Sequence, residues 1–180
     1  MNPTPTDDTA ALVAQLAQAL MQRGWGLVTA ESCTGGLISA ACTELAGSSQ
    51  WFERGFVTYS NEAKHESLGV DAALIARVGA VSEPVAQAMA LGALRHSKAQ
   101  VSLAVTGVAG PSGGSASRPV GTVCFAWALP SDSGPTLGAD TAWVKTERQH
   151  FDGDRAQVRQ ATVQHALRHL LQWMGQKSEA

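Results

Sequence analysis

The segment that joins two apolar stretches, residues 101–105 and 120–129, constrains the fold more than any other part of the chain. Both stretches have the length and apolar character of strands in a sheet that is covered on both faces. The 14 residues between them contain four glycines and two prolines, a composition that cannot supply the helix of a parallel crossover. The two strands are therefore predicted to be antiparallel neighbours. Residues 106–119 are expected to form a functional loop, with an unstructured surface flap as the alternative.

Predicted helices and strands alternate along the rest of the chain, without an internal repeat. Apolar periodicity, cap residues and glycine stops predict helices at residues 8–23, 34–45, in the short stretches after Asn61 and Asp71, and at 82–95 and 154–174. Further strands are predicted at 26–30, 55–59 and 141–148. The sequence thus predicts one α/β domain over residues 1–180, in which a mixed sheet lies between helices. Residues 1–8 are expected to be a flexible N-terminal tail.

The charge and hydropathy of the chain exclude several classes of protein. A net charge of −2 and a pI near 6.2 leave no basic field for DNA or RNA. No apolar run approaches the ~20 residues of a membrane span, and residues 1–8 lack the apolar region of a signal peptide. The three cysteines, Cys33, Cys42 and Cys124, have neither the number of a disulfide framework nor the spacing of a zinc site. We therefore expect a cytoplasmic protein with no nucleic-acid or membrane partner.

A serine stands where a predicted strand turns into the next helix, within the motif Thr29–Ile38. Two glycines follow it closely, so the backbone there can bend sharply and approach a ligand. Because a helix N-terminus presents unpaired N–H groups and a positive dipole end, Ser32 is placed as a nucleophile beside an oxyanion or phosphate site. Two alternatives stay open: Ser32 or Thr34 caps the helix, or the thiol of Cys33 is the nucleophile.

Several sequence blocks, in the same order, resemble the CinA C-terminal domain family. The blocks are Thr29–Gly36, Tyr59–Asn61 with Lys64, Gly79–Ser82, Thr106–Pro111 with Gly113 and Gly114, Pro119–Val123, and Phe151–Arg155. The resemblance covers nearly the whole chain and implies a three-layer α/β/α sandwich with a mixed, mostly parallel sheet. It also implies the activity of a stand-alone nicotinamide-nucleotide amidohydrolase. Such an enzyme hydrolyses the carboxamide of nicotinamide mononucleotide to nicotinate mononucleotide and ammonia, in the pyridine nucleotide cycle of NAD metabolism, with no cofactor.

The resemblance assigns Ser32 as the nucleophile, with Lys64 and Tyr59 as the groups that activate it. Lysine serves as a base only where desolvation or nearby charge lowers its pKa from ~10.4 toward 7. Lys64 is predicted in the first turn of a short helix, where the positive dipole end also favours the neutral amine. A solvated surface lysine is the alternative for Lys64, and a strand-end aromatic that packs on the core is the alternative for Tyr59.

Further residues are expected to contact the substrate, namely Cys33, Thr34, Gly35, Gly36, Asn61, Thr106, Gly107, Ala109, Gly110 and Arg155. Among them, the backbone N–H groups of Thr34, Gly35 and Gly36 are the expected oxyanion hole. The loop 106–114 can present successive N–H groups to the substrate phosphate, and Arg155 is the charged alternative. A homo-oligomer is expected, with a dimer favoured, and a second subunit is a further source of substrate contacts.

No metal site is expected from the sequence. His165 and His169 share a helix face, but the segment lacks the glutamate of a zinc-protease helix, so a solvated face is the expectation. Two other functions stay open. The same glycines could cradle phosphate in a non-catalytic nucleotide- or phosphate-binding module, in which Ser32 only donates a hydrogen bond. The other is a partner protein in competence or DNA repair, although the acidic balance of the chain opposes it.

Overall fold

A computed structural model describes residues 5–131 and 139–176 of the chain. The helices are α1 (Pro5–Arg23), α2 (Leu37–Glu44), α3 (Asn61–Leu68), α4 (Ala72–Val78), α5 (Glu83–Arg95) and α6 (Arg155–Gln176). The strands are β1 (Leu27–Glu31), β2 (Phe52–Val57), β3 (Val101–Gly107), β4 (Thr122–Leu129) and β5 (Trp143–His150). Within these described ranges, every helix is too short or too polar to cross a lipid bilayer.

The strands of the described ranges form one mixed sheet in the order β2-β1-β3-β4-β5. Strand β1 pairs in parallel with both β2 and β3, whereas β4 pairs antiparallel with β3 and with β5. The antiparallel pair β3–β4 is the one predicted from the connection rich in glycine and proline, and that prediction is confirmed. Because only β4 runs against the other strands, the carboxyl ends of β1, β2 and β3 meet at one edge of the sheet, where ligands bind in sheets of this kind.

Helices cover both faces of the sheet, which confirms the α/β/α sandwich. The helices α1, α2 and α6 pack on one face, around buried side chains such as Leu16 and Leu167. The helices α3, α4 and α5 pack on the other face, around Leu68 and Met89. Strand β4 is buried along its whole length, as expected of a strand with helices on both sides.

Two helix starts differ from the sequence prediction. Helix α2 begins at Leu37, three residues later than predicted, since Gly35 and Gly36 have φ values of +58° and +98° that are incompatible with a right-handed helix. Helix α1 begins at Pro5, within the segment predicted to be a tail, and proline is favoured in the first turn of a helix. Residues 1–4 of the predicted tail lie outside the described residues.

The edge strand β5 lies beside α6, so the predicted solvated face at His165 and His169 is wrong. The two side chains are only 15% and 28% exposed. Glu147 of β5 lies opposite both imidazoles, and the ring of Trp127 stacks on His169. The histidine spacing on the helix is visible in the sequence, but it does not show that the strand just before the helix covers this face.

Helix α5 approaches α3 closely at Gly92, where an added Cβ would overlap the carbonyl oxygen of Leu68 at the end of α3. We expect Gly92→Ala to lower the free energy of unfolding by about 1–3 kcal/mol, although alanine is the better helix former by ~1 kcal/mol. In the matched control Gly175→Ala of α6, the added Cβ meets open space, so the change should be neutral or slightly stabilising. Urea denaturation measures both, and an unchanged midpoint for Gly92→Ala would contradict the close helix contact.

Candidate active site

A fully buried carboxylate organises the turn between β1 and α2. Glu31, the last residue of β1, has no exposed surface. Its Oε2 accepts hydrogen bonds from Thr34 Oγ1 at 2.7 Å, Gly36 N at 3.0 Å and Ile38 N at 3.0 Å. Its Oε1 accepts from the backbone N and the Oγ of Ser39, at 2.8 and 2.6 Å. One side chain thus replaces the hydrogen-bond partners that the first turn of α2 lacks.

Ser32 is held on both sides of its backbone at the carboxyl end of β1. Its N–H donates to the carbonyl of Val105 in β3 at 3.1 Å, and its carbonyl accepts from Gly35 N at 3.0 Å. The residue is 8% exposed, and its side chain opens into a cavity. The serine hydroxyl therefore has a defined position, because the backbone around it is tied to two strands and a tight turn.

Lys64 of α3 brings a buried amine to this hydroxyl. The residue is 2% exposed, and its Nζ lies 3.0 Å from Ser32 Oγ. The same Nζ donates to the carbonyl oxygens of Thr58 at 2.8 Å and Ser60 at 3.5 Å. Among the described residues, no carboxylate lies within ion-pair distance of this amine. Lys64 is thus buried beside Ser32 and is not a solvated surface lysine, while its role as the base stays a prediction.

Burial lowers the pKa of the Lys64 amine, because the charged form loses its hydration. From the sequence, the positive end of the helix dipole was also expected to lower this pKa. In the structure, however, Lys64 is the fourth residue of α3, and its Nζ points back to carbonyl oxygens. A neutral amine has two N–H donors, which match the two carbonyls. In that form its lone pair is available to the hydroxyl of Ser32.

A cavity of about 280 Å³ opens over the serine. It is lined by Ser32, Cys33, Tyr59, Gly107, Val108, Ala109, Gly110, Ser112, Gly113, Gly114 and Arg155. The glycine-rich loop is therefore part of the site and not a detached flap. Its first residues are anchored to the sheet, since Val108 N donates to Thr122 O at 2.8 Å and Gly121 N donates to Val108 O at 2.7 Å.

Arg155, the first residue of α6, closes one side of this cavity. Its Nη1 donates to Gly110 O at 2.8 Å, and its Nη2 donates to Tyr59 OH at 2.9 Å. Within the described residues its guanidinium has no carboxylate partner. Tyr59 is 59% exposed, and in this structure its hydroxyl contacts Arg155. The expected activation of Ser32 by Tyr59 stays a prediction, since no hydrogen bond described here joins Tyr59 to Ser32 or Lys64.

The predicted oxyanion hole is wrong for two of its three donors. Gly35 N donates to Ser32 O, and Gly36 N donates to the Glu31 carboxylate, so neither is free for a substrate. The hydroxyl of Thr34 also donates to Glu31. These groups already donate hydrogen bonds within the protein, because α2 begins later than predicted and Glu31 accepts hydrogen bonds from the residues at its start.

Two other predicted contacts lie away from the cavity over Ser32. The hydroxyl of Thr106 donates to Ala80 O at 3.0 Å, and Asn61 lines a separate cavity between α3 and α4. Gly107, Ala109 and Gly110 do line the cavity over the serine. The structure thus brings together Ser32, Cys33, Lys64, Tyr59, the glycine loop and Arg155.

Cys33 lines the cavity, but its environment opposes a role as nucleophile. Burial raises the pKa of the Cys33 thiol to about 12, so the reactive thiolate is scarce near neutral pH. The expected helix N-terminus that would lower this pKa begins four residues later, at Leu37. Ser32 Oγ, in contrast, lies 3.0 Å from the Lys64 amine.

The comparisons with known proteins agree on one family. The sequence model of the CinA C-terminal domain matches residues 9–174. The nicotinamide-nucleotide amidohydrolase PncC of Escherichia coli K12 is 48% identical over 161 residues, which cover 89% of this chain and 92% of that protein. The PncC of Pseudomonas putida is 48% identical over 166 residues, which cover 92% of this chain and 97% of that protein.

A longer relative and a solved structure extend these matches. A CinA-like protein of Syntrophobacter fumaroxidans is 48% identical over 158 residues, and this chain spans only about a third, 34%, of its length. The crystal structure of a CinA superfamily protein from Klebsiella pneumoniae 700603 superposes with a TM-score of 0.84 at 38% identity, covering 93% of this chain and 98% of that one.

The carboxylate of Glu31 generates a stability prediction. In Glu31→Gln the side-chain NH₂, whichever way the amide is turned, would face a backbone N–H that can only donate, so we expect the free energy of unfolding to fall by about 2–4 kcal/mol. The exposed Glu44→Gln at the end of α2 is the matched control and should change it by less than about 0.5 kcal/mol. Chemical denaturation of the two variants measures this difference. If Glu31→Gln and Glu44→Gln were equally stable, the hydrogen bonds to Glu31 would not be what holds the turn.

Proposed function

The chain belongs to the CinA C-terminal domain family, and we propose that it hydrolyses the carboxamide of nicotinamide mononucleotide with Ser32 as the nucleophile. The products are nicotinate mononucleotide and ammonia. The amidohydrolase names of the relatives that this chain matches nearly end to end support the reaction. The observation that carries the mechanism is the 3.0 Å contact between the buried Lys64 Nζ and Ser32 Oγ at the floor of a cavity.

Lys64 acts as the general base in this proposal. Its lowered pKa increases the fraction of neutral amine, whose lone pair takes the Ser32 proton as the hydroxyl oxygen attacks the carboxamide carbon. The protonated amine is then stabilised by the Thr58 and Ser60 carbonyls. This arrangement is a serine–lysine variant of the triad logic, in which one amine does the work of the histidine.

The reaction proceeds through an acyl-enzyme with a balanced transfer of protons. The bond from Ser32 Oγ to the carbonyl carbon forms, the carbon–nitrogen bond breaks, and Lys64 returns its proton to the leaving NH₂ as ammonia. A water molecule then attacks the ester, giving its oxygen to the product acid and one proton to Lys64, and its second proton passes to solvent as the acid ionises to the carboxylate. Ser32 Oγ recovers its proton from Lys64, so the enzyme returns to its starting state.

The substrate phosphate and the developing oxyanion require donors that the protein does not already use. The backbone N–H groups of Ala109 and Gly110 have no hydrogen-bond partner within the described part of the chain, and both residues line the cavity. Successive N–H groups of this kind bind anions well. Arg155 adds an unpaired positive charge at the same cavity, which suits the phosphate. We assign the phosphate to Arg155 and the loop 109–114.

The proposal also includes the cellular location and the oligomeric state of the enzyme. Cys33, Cys42 and Cys124 are free thiols, as is usual for proteins of a reducing compartment, and this supports a cytoplasmic location. A homo-oligomer, with a dimer favoured, stays a prediction. The exposed side chains of Val57, the last residue of β2, and of Tyr59, two residues later, are surfaces that a second subunit would cover.

The direct test of the proposed reaction is ammonia release from nicotinamide mononucleotide by the purified protein. We expect turnover that survives treatment with a chelator, because no step uses a metal. Binding of the mononucleotide without ammonia release would contradict the proposal and favour a non-catalytic phosphate-binding module.

Replacement of Lys64 separates a base from a simple positive charge. Arginine keeps the charge but stays protonated at any usable pH, so Lys64→Arg should bind the mononucleotide and turn over about 10²–10⁴-fold more slowly. The exposed Lys98→Arg is the matched control and should keep full activity. Calorimetry and ammonia release on the same preparations measure both properties. Full turnover by Lys64→Arg would refute the base assignment.

The dependence of wild-type activity on pH tests the role of Lys64 as the base without a substitution. Because the base acts in its neutral form, kcat/KM should rise with pH, and the lowered pKa of Lys64 should place this rise below the range of a free lysine. The apparent pKa belongs to the coupled Ser32 and Lys64 pair. A rate that rises only in the range of a free lysine would contradict the desolvated base.

Removal of the Arg155 charge tests the assignment of the phosphate. Arg155→Gln should raise KM roughly 10–100-fold and leave kcat within a few-fold, since a charged hydrogen bond to phosphate is lost and the Ser32–Lys64 pair is untouched. Arg77→Gln on the exposed side of α4 is the matched control and should leave KM unchanged. A large fall in kcat with constant KM would assign Arg155 to the chemical step instead.

A further inference from the structure

Three potential metal ligands meet between β5 and α6. His165 Nε2 lies 3.4 Å from Glu147 Oε2, and His169 Nδ1 lies 3.3 Å from the same oxygen. All three ligand atoms lie within 4.8 Å of one another. The two histidines are four residues apart on α6, so their side chains project from one face of the helix, and the rings stack at 4.0 Å between centroids.

The spacing of these atoms fits a tetrahedral metal ion. Bonds of about 2.0–2.2 Å to nitrogen and oxygen place two ligands of a tetrahedral ion roughly 3.3–3.6 Å apart. Both measured separations from Glu147 Oε2 fall at this value. Two imidazoles and one carboxylate are also a common ligand set of Zn²⁺ and chemically similar divalent ions, whereas Mg²⁺ and Ca²⁺ prefer oxygen ligands alone.

Groups around the three ligands fix their orientation. The side chain of Gln149 donates a hydrogen bond to Glu147 Oε1, which leaves Oε2 directed to the imidazoles. The ring of Phe125 lies 4.7 Å from His165, and that of Trp127 lies 5.6 Å from His169, between centroids. Apolar walls and a hydrogen-bonded carboxylate are the surroundings that tune protein metal sites. The ligand side chains stay 15–28% exposed, so an ion and a water molecule can enter.

We propose that Glu147, His165 and His169 bind a divalent transition-metal ion such as Zn²⁺, which joins the edge strand β5 to α6. The site is separate from the chemistry at Ser32. Glu31, Val105, Phe125 and Glu147 occupy one row across the sheet, so Glu147 lies three strand spacings, roughly 14 Å, from the residue that precedes the serine. The bound ion strengthens the fold, because it stabilises the native state in which the ligands converge.

The test uses untagged protein that has been dialysed against a chelator and then titrated with Co²⁺ and Zn²⁺. We expect one equivalent of Co²⁺ to bind with visible absorption bands of a tetrahedral site, and Zn²⁺ to displace it. Saturating Zn²⁺ should raise the thermal midpoint by several degrees and leave ammonia release unchanged. His165→Gln, His169→Gln and Glu147→Gln should each weaken binding at least about tenfold.

The exposed His150→Gln at the end of β5 is the matched control and should bind metal like the wild type. Circular dichroism establishes which variants are folded, and metal binding is compared among those variants. Absence of saturable binding to the wild type would overturn the proposal. Binding that persists in folded variants of the three ligands would also overturn it, since the ion would then lie elsewhere. These results are independent of whether the protein releases ammonia.

Discussion

The hydrogen bonds to the Glu31 carboxylate are the interaction on which the site depends. A fully buried carboxylate is costly to desolvate, and it is retained only where donors surround it. Here the donors are hydroxyls and backbone N–H groups of residues 34–39, so β1, the glycine turn and the start of α2 become one unit. Ser32 follows Glu31 directly and inherits a fixed position from it. Pre-organisation of this kind is what a nucleophile requires.

The site also requires an amine beside the serine, and the opposite layer of the sandwich supplies it. Lys64 belongs to α3, which packs on the other face of the sheet from α2, and the two layers meet over the carboxyl end of β1. The close contact of α3 with α5 at Gly92 sets the position of the helix that carries the amine. Because the fold buries this amine without a carboxylate partner, the same packing that stabilises α3 also lowers the pKa of the Lys64 amine, as the proposed base requires.

Local patterns in the sequence were sufficient for the fold and for part of the site. The glycines and prolines of residues 106–119 predicted the antiparallel pair, because a helical crossover is impossible there. The serine motif follows from its position between a predicted strand and a helix with two glycines, Lys64 follows from resemblance to a family, and the structure brings the two side chains together. The role of Glu31 was missed, although a carboxylate that ends an apolar strand just before two glycines was a readable signal. Without that partner, Gly36 N was wrongly assigned to the oxyanion.

The remaining errors arise because the sequence pattern of one element does not show which other element packs against it. The contact of Arg155 with Tyr59 joins residues far apart in the chain, and the contacts of Glu147 with His165 and His169 join a strand to the helix that follows it. Sequence periodicity describes one face of one helix, and it carries no information on the strand that covers that face. The most direct test of the central claim is ammonia release by Ser32→Ala beside Cys33→Ala, with mononucleotide binding measured on both. We expect Ser32→Ala to bind substrate but to lose turnover by several orders of magnitude, while Cys33→Ala keeps most of its turnover. Near-wild-type turnover by Ser32→Ala, or complete inactivation of a folded Cys33→Ala, would contradict that claim.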